Sequence, residues 1–387
     1  MSTTLASLPP QHRSPIRSNH TPHRQAVEEK DDAPVSAAAD RAVVHWLVAC
    51  ALAVTLAVAV GGITRLTESG LSITQWKPLS GVLPPLRSAE WAEAYQSYLA
   101  TPEAQTVHQG ITMSAFKGLY WWEWTHRMLA RGVGLVLAIP FFALLMRRQI
   151  RPGMRLRLAN LPLLAAMQGG MGWYMVQSGL SGRSSVSPYR LVAHLAIALV
   201  IFGVAVWTAS ELRQPRLIGA IHVRKSRLGL SVLLSLAALV FATMLSGGFV
   251  AGLDAGRIFN TFPLMEGRLI PAGYGALETW RNAFENPIAA QLHHRILALG
   301  TAVLVCLAWL FAVTRAWPPP LRRWLSVAAV IAAIQAGLGV VTVLLAVPLP
   351  VAVLHQLGAM ALLAVLLSAA ASESTFPMKP AGSAFRA

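Results

Sequence analysis

Long apolar runs separated by short basic connectors dominate this chain of 387 residues. The hydrocarbon core of a bilayer is spanned by about 20 apolar residues in a helix, because helices satisfy their own backbone hydrogen bonds. Eight segments have that character, at about 42–61, 124–146, 158–177, 190–210, 228–249, 288–314, 323–346 and 350–371. The pattern predicts an all-α membrane protein with eight transmembrane helices.

The connectors alternate in charge. The second-to-third carries Arg147, Arg148, Arg151, Arg155 and Arg157; the fourth-to-fifth carries Arg213, Arg216, Arg224, Lys225 and Arg227; the sixth-to-seventh carries Arg315, Arg322 and Arg323. The third-to-fourth holds only Arg183 and Arg190, and the seventh-to-eighth has no Lys or Arg. By the positive-inside rule the basic connectors and both termini face the cytoplasm. The long connectors 62–123 and 250–287 then face outward, to the periplasm of a bacterial inner membrane.

On this topology His126, His194, His294 and His355 each fall within about two helical turns of the outer surface. Ionisable groups in spanning helices are costly and rare, so four at one depth point to function. The chain also repeats itself. Gly61-Gly62 followed by Glu68 and Gly70 is echoed by Gly247-Gly248 followed by Asp254 and Gly256. His126-Arg127 is echoed by His294-Arg295, Gln168-Gly169 by Gln335-Ala336-Gly337, and His194 by His355. The expected architecture is two pseudo-symmetric four-helix bundles related by an axis along the membrane normal. Residues 42–211 form the first half and 212–371 the second, with cytoplasmic tails at 1–41 and 372–387. The tail 1–41 reads as disordered; Arg13, Arg17 and Arg24 faintly suggest a transit peptide, against which stand Pro9, Pro10, Pro15 and Pro22.

Composition supports this picture. The chain is 55% hydrophobic and 12% charged, below the roughly 25% charged of soluble domains. Its net charge of +16 lies in topological connectors, which argues against nucleic-acid binding and for contact with membrane lipid. Cys50 and Cys306 sit in apolar spans without a CxxC neighbour and read as buried small hydrophobes.

Paired imidazoles on facing helices suit axial ligation of haem iron. Zinc is less suited, since no cysteine or carboxylate cluster accompanies the pairs. His293, adjacent to His294, points to a different helix face and reads as a surface or supporting residue. Arg127 and Arg295 could pair with haem propionates or snorkel to the interface, and the two readings weigh equally. Arg65, Glu68, Lys77, Asp254 and Arg257 read as turn residues, and Trp121, Trp122 and Trp124 as an interfacial belt. One position breaks the repeat: Glu123, one turn before His126, is matched by Gln291. A carboxylate in one half only suggests a general base or a stabilising charge there, while a helix N-terminus would favour it as readily.

The run Gly61-Gly62-Ile63-Thr64-Arg65-Leu66-Thr67-Glu68-Ser69-Gly70-Leu71-Ser72, with Trp76-Lys77-Pro78 and Glu123-Trp124-Thr125-His126-Arg127, resembles the haem A synthase family. So do Gln168-Gly169-Gly170-Met171-Gly172-Trp173, Val176-Gln177-Ser178-Gly179-Leu180 and His294-Arg295. The likeness covers about 42–371 and is to the α-proteobacterial and mitochondrial form. It implies oxidation of the C8 methyl of haem O to a formyl group by successive hydroxylations, the second giving a gem-diol that loses water. By that resemblance His126 and His194 flank the substrate haem, His294 and His355 ligate a resident haem B, and Glu123 is implicated in catalysis. Arg65, Arg127 and Arg295 become candidates for propionate or loop contacts. The resemblance makes haem O synthase a candidate partner and a homo-oligomer a candidate assembly; the electron-transfer partner is left open. Some bacterial members carry a cysteine pair in the first outer loop, whereas residues 62–123 here contain none.

Three other readings compete. A dihaem b-type electron carrier would need no Glu123. A proton-relaying transporter fits the strict pairing of histidines poorly. The prenyl-transfer enzyme that makes haem O would carry an aspartate-rich motif, which this chain lacks.

Overall fold

A computed structural model describes residues 36–77, 80–180, 185–214 and 227–374. Pro78, Arg183, Arg216, Arg224, Lys225 and nearly all of both expected tails lie outside the described residues.

Most of the described residues are helical. Helices α1 (Ala37–Leu66), α2 (Ser88–Leu99), α3 (Pro102–Thr106), α4 (Met113–Met146), α5 (Arg155–Gly179) and α6 (Pro188–Arg213) cover the first half. Helices α7 (Arg227–Gly252), α8 (Thr279–Glu285), α9 (Pro287–Thr314), α10 (Pro319–Leu344) and α11 (Leu349–Ser374) cover the second. Local chemistry sets several starts. Ser36, Thr112 and Asn286 cap α1, α4 and α9 by accepting from backbone N–H groups that lack a helical partner, and proline occupies the first turns of α6, α9 and α10.

Among the described residues, seven helices are long and apolar enough to cross a membrane: α1, α4, α6, α7, α9, α10 and α11. The third expected span, α5, is long enough at 25 residues but is not among them. Arg155, Arg157, Asn160, Gln168, Gln177 and its glycines dilute its hydropathy. The first span also begins earlier than expected, at Ala37 inside the segment read as tail. Asp40 in its first turn receives the Arg151 guanidinium at 2.7 Å, which ties that end of α1 to the basic connector after α4. The last helix likewise runs on to Ser374.

Helix α1 packs on α4 and α6, and α5 packs on α4 and α6. In the second half α7 packs on α9 and α11, and α10 packs on α9 and α11. Contacts of α1 and α6 with α7 and α11 join the halves. The join is partly polar: Gln356 donates to the Val58 carbonyl at 3.0 Å, and Ser210 meets Ser368 at 3.0 Å. Leu47, Leu137, Leu158, Leu199, Leu233, Leu325 and Leu366 lie in one continuous apolar core. Outward faces are also apolar, with Leu135, Ile139, Ile296, Val303, Val330 and Ile334 exposed, as expected where lipid rather than water surrounds the helices.

Helix α4 departs from the other histidine-bearing helices. His194, His294 and His355 lie six, seven and six residues beyond the first residues of α6, α9 and α11, Pro188, Pro287 and Leu349. His126 lies thirteen beyond Met113. The extra turns project into the outer connector, where Phe116 and Tyr120 pack with Tyr98 and Ala104 in a separate core under α2 and α3. Trp91 meets Tyr120 edge-on at 5.0 Å. Trp121 and Trp122 are partly exposed, and Trp121 packs on Trp91 and Trp124, so this group belongs to the aromatic cap as well as to the surface.

Candidate functional site: two histidine pairs

Each of the four histidines stands against a glycine of a neighbouring helix. A Cβ placed on Gly61, Gly172, Gly247 or Gly339 would lie 2.9, 3.3, 3.1 or 3.0 Å from the Cε1 atom of His126, His194, His294 or His355 respectively. The imidazole edges therefore occupy the space a side chain would fill, and the close approach holds the rings between helices. His126 and His194 are within electrostatic reach of each other, as are His294 and His355.

The donor set fits haem. A porphyrin supplies four equatorial nitrogens, so the protein need supply only two axial ligands, and neutral imidazole is a common one. Among the described residues no group of three or more His, Cys, Asp or Glu side chains gathers at one point, as a metal bound by protein alone would need.

The outer connectors are stapled to the histidine helices in the same way in both halves. Arg127 donates to the carbonyls of Ile73 and Gln75, at 2.8 and 3.2 Å. Arg295 donates to the carbonyls of Phe259 and Thr261, at 2.7 and 2.8 Å. These acceptors are repeat partners, each 186 residues apart (259 − 73 and 261 − 75), the spacing that also relates Gly61 to Gly247. Glu68 and Asp254, again 186 apart, both adopt left-handed backbone with φ of 52°. Both arginines are thus loop anchors. Arg65 instead crosses to the second half and meets Asp254 at 2.5 Å, while Arg257 approaches Glu68 at 3.6 Å.

The repeat fails at Glu123. Its buried carboxylate, 2% exposed, accepts from Ser72 Oγ at 2.7 Å and the Ile73 N–H at 2.6 Å through one oxygen. Through the other it accepts from Arg127 Nε at 3.0 Å and Nη2 at 2.6 Å. A carboxylate offers about four acceptor positions, and four donors fill them. Gln291, equally buried, makes one bond, from Nε2 to the Phe259 carbonyl at 3.1 Å. Where the first half pairs a carboxylate with an N–H, the second pairs an amide with a C=O.

The histidines differ as well. His294 Nδ1 lies 2.8 Å from Ser246 Oγ. The Gln335 amide lies 3.1 Å from His355 Nδ1 and donates to the His355 carbonyl at 2.6 Å. In the first half the Nδ1 atoms of His126 and His194 are buried without a hydrogen-bond partner, whereas the repeat-related oxygens Gln168 Oε1 and Gln335 Oε1 are buried without one in both halves. His293 sits outside this arrangement, its Nε2 3.0 Å from the Tyr274 hydroxyl of the outer connector.

A polar chain that the sequence did not reveal runs through the aromatic cap. Glu103 and Tyr98 are 3.2 Å apart, Tyr98 and His108 Nδ1 are 2.6 Å apart, and His108 Nε2 reaches Glu68 at 3.8 Å. Burial pushes the Glu103 carboxyl up to about 8, and burial beside Glu103 raises the Tyr98 phenol above its usual range. A carboxylate in a polar outer segment gave no signal of burial, because that burial comes from the packing of α2 and α3 over α4.

Helical bundles carrying paired histidines for haem define a class of membrane haem proteins, and sequence comparison narrows it. Residues 44–367 match the family described as "Cytochrome oxidase assembly protein". Proteins named "Heme A synthase" are similar over nearly their whole length. That of Nitrosospira multiformis is 43% identical over 332 residues, 85% of this chain and 93% of its own. That of Azorhizobium caulinodans is 44% identical over 344 residues, 88% and 97%. That of Parvibaculum lavamentivorans is 41% identical over 352 residues, 90% and 97%. The chain belongs to the haem A synthase family of cytochrome oxidase assembly proteins.

Proposed function

We propose that this protein oxidises the C8 methyl group of haem O to the formyl group of haem A, an oxidoreductase reaction at a CH group. The observation that carries the reading is the inequality of two otherwise matched sites: paired histidines in both, a buried carboxylate in one. His126 and His194 hold the iron of the substrate haem O. His294 and His355 would hold a resident haem B, which when bound would supply a one-electron redox centre.

Helix α5 is the eighth span and completes two four-helix bundles. Its large exposed residues Leu156, Leu163, Met167 and Tyr174 follow helical spacing along one face, while Gln168 Oε1 is buried. Lipid facing the apolar stripe and a polar interior account for its low hydropathy. The basic connectors face the cytoplasm and the haem sites lie toward the periplasmic side.

Glu123 acts beside the substrate site through its fixed negative charge and through the loop it holds. With its acceptor positions filled, it is better suited to stabilising positive charge in the transition state than to taking up a proton. Arg127 keeps that charge in place and pins residues 73–75 against α4.

The test is to purify the protein from cells making haem O and to extract its haem. Haem B together with haem O or A is expected, and a Glu123→Ala variant that accumulates haem O. Haem B alone, with unchanged haem A output from the variant, would overturn the assignment and favour a dihaem electron carrier.

A further inference from the structure

The two histidine pairs are supported unequally, and the inequality has a chemical direction. Ser246 Oγ donates its hydroxyl hydrogen to the Thr243 carbonyl at 2.8 Å. Its oxygen is then free only to accept, and the group 2.8 Å away is His294 Nδ1. Accepting there requires the hydrogen on Nδ1, which leaves the Nε2 lone pair bare, as an iron ligand must be. The hydrogen bond also fixes the ring plane, adding to the contact with Gly247. A partner at the remote nitrogen makes a ligating imidazole more basic and typically changes metal affinity by about 10–100-fold.

The same position in the first half is Val60, one residue before Gly61 as Ser246 is one before Gly247. The valine side chain offers no acceptor, and His126 Nδ1 is buried with no partner. The Ala57 carbonyl, at the repeat position of Thr243, lies nearby but outside hydrogen-bond geometry. The second histidine of each pair has no such acceptor: Gln335 approaches His355 Nδ1 with its amide nitrogen, a donor, and His194 Nδ1 is unpartnered, so the contrast rests on Ser246 and Val60.

We infer that Ser246 is a positioning residue that makes the second site retain its haem, and that Val60 at the matching position leaves the first site able to release the haem it has processed. The inference rests on the two-site reading above and adds to it a residue-level cause for residence against exchange. An enzyme whose substrate and cofactor are both haems needs such a difference, since otherwise product would stay bound as firmly as cofactor.

The experiment measures haem loss from the full-length protein in detergent, with apomyoglobin as acceptor and the Soret band as signal. The second site is isolated in a His126→Ala/His194→Ala background and the first in a His294→Ala/His355→Ala background. Ser246→Val is expected to speed haem loss from the second site by about ten- to a hundredfold and to shift its reduction midpoint. Ser246→Thr, which keeps the hydroxyl, is expected to restore the slow rate. Val60→Ser is expected to slow loss from the first site. Unchanged rates in Ser246→Val and Val60→Ser would overturn the inference while leaving the two-site reading intact. Were Ser246→Val unable to fold, an unchanged rate in Val60→Ser would overturn it alone. Retention of the full haem content by both double-alanine backgrounds would instead defeat the two-site reading itself.

Discussion

The two halves of this molecule are built on one plan and differ where chemistry would demand it. Both place histidines against glycines, and both pin an outer connector with an arginine one residue after the first histidine. Helix-terminal turns repeat as well: Arg148 after α4 and Ala316 after α9 are 168 residues apart, the spacing from His126 to His294, and both are left-handed. Against this sameness stand three differences. The first half has Glu123 where the second has Gln291, Val60 where the second has Ser246, and a cap of two helices and an aromatic core over its outer end. Shared backbone geometry therefore secures the common frame of the two histidine pairs, and a few side chains set the halves apart.

The comparison breaks most completely at the ligands. His294→Ala or His355→Ala is expected to remove haem from the second half entirely while leaving the helical circular dichroism unchanged. His126→Ala is expected to keep the second-half haem yet abolish conversion of haem O, as pigment extraction would show. Equal loss of both haems from either variant would mean the halves do not hold separate sites.

The next largest effect falls on the carboxylate. Glu123→Ala is expected to lower turnover by about a hundredfold or more, the scale on which a fixed charge at a reacting centre acts. Gln291→Ala, losing one hydrogen bond, is expected to cost about 1 kcal/mol of stability with little change in turnover. Comparable losses of activity in both would make the two residues simple loop anchors.

The glycines should respond alike in both halves. Gly61→Ala, Gly247→Ala and Gly339→Ala put a methyl group 2.9, 3.1 and 3.0 Å from an imidazole, and each is expected to cost about 1–3 kcal/mol as shifted rings and weakened haem binding. Gly172→Ala, at 3.3 Å, should be mildest. Thermal melts and haem titrations of the four would rank them.

The smallest effect concerns the cap of α2 and α3 over α4 in the first half. Glu103 is raised from 4.5 to about 8 in the folded protein by burial. A raised carboxyl favours its protonated form in the fold, so its contribution is fully present below about 4.5 and is lost as pH rises through about 8. Fluorescence of Trp91 and Trp121 in the cap is expected to report loosening over that window. Glu103→Gln is expected to flatten the response, and an undiminished response in that variant would assign it to another group.

Much was legible in the chain because membrane insertion writes itself in runs of apolar residues, and because duplication leaves paired motifs. The four histidines, the Gly-Gly pairs, the His-Arg pairs and the Glu123–Gln291 contrast could all be read from spacing. Helix α5 was expected as a span from its place in the repeat, although its own hydropathy falls short, since its arginines, glutamines and glycines are pooled with its apolar residues. What the tertiary structure alone decided concerns contacts between residues far apart in sequence. Ser246 and Val60 are unremarkable residues in apolar runs, and only helix packing brings one of them to an imidazole and leaves the other with nothing to offer. The fourfold saturation of Glu123, the arginine staples, the cross-half pair Arg65–Asp254 and the buried Glu103 have the same origin. Hydrophobic pattern marks which segments are helices, because it depends on each segment's own solvation. Hydrogen bonding at the sites depends on a few ångströms of relative helix position, which no single segment carries.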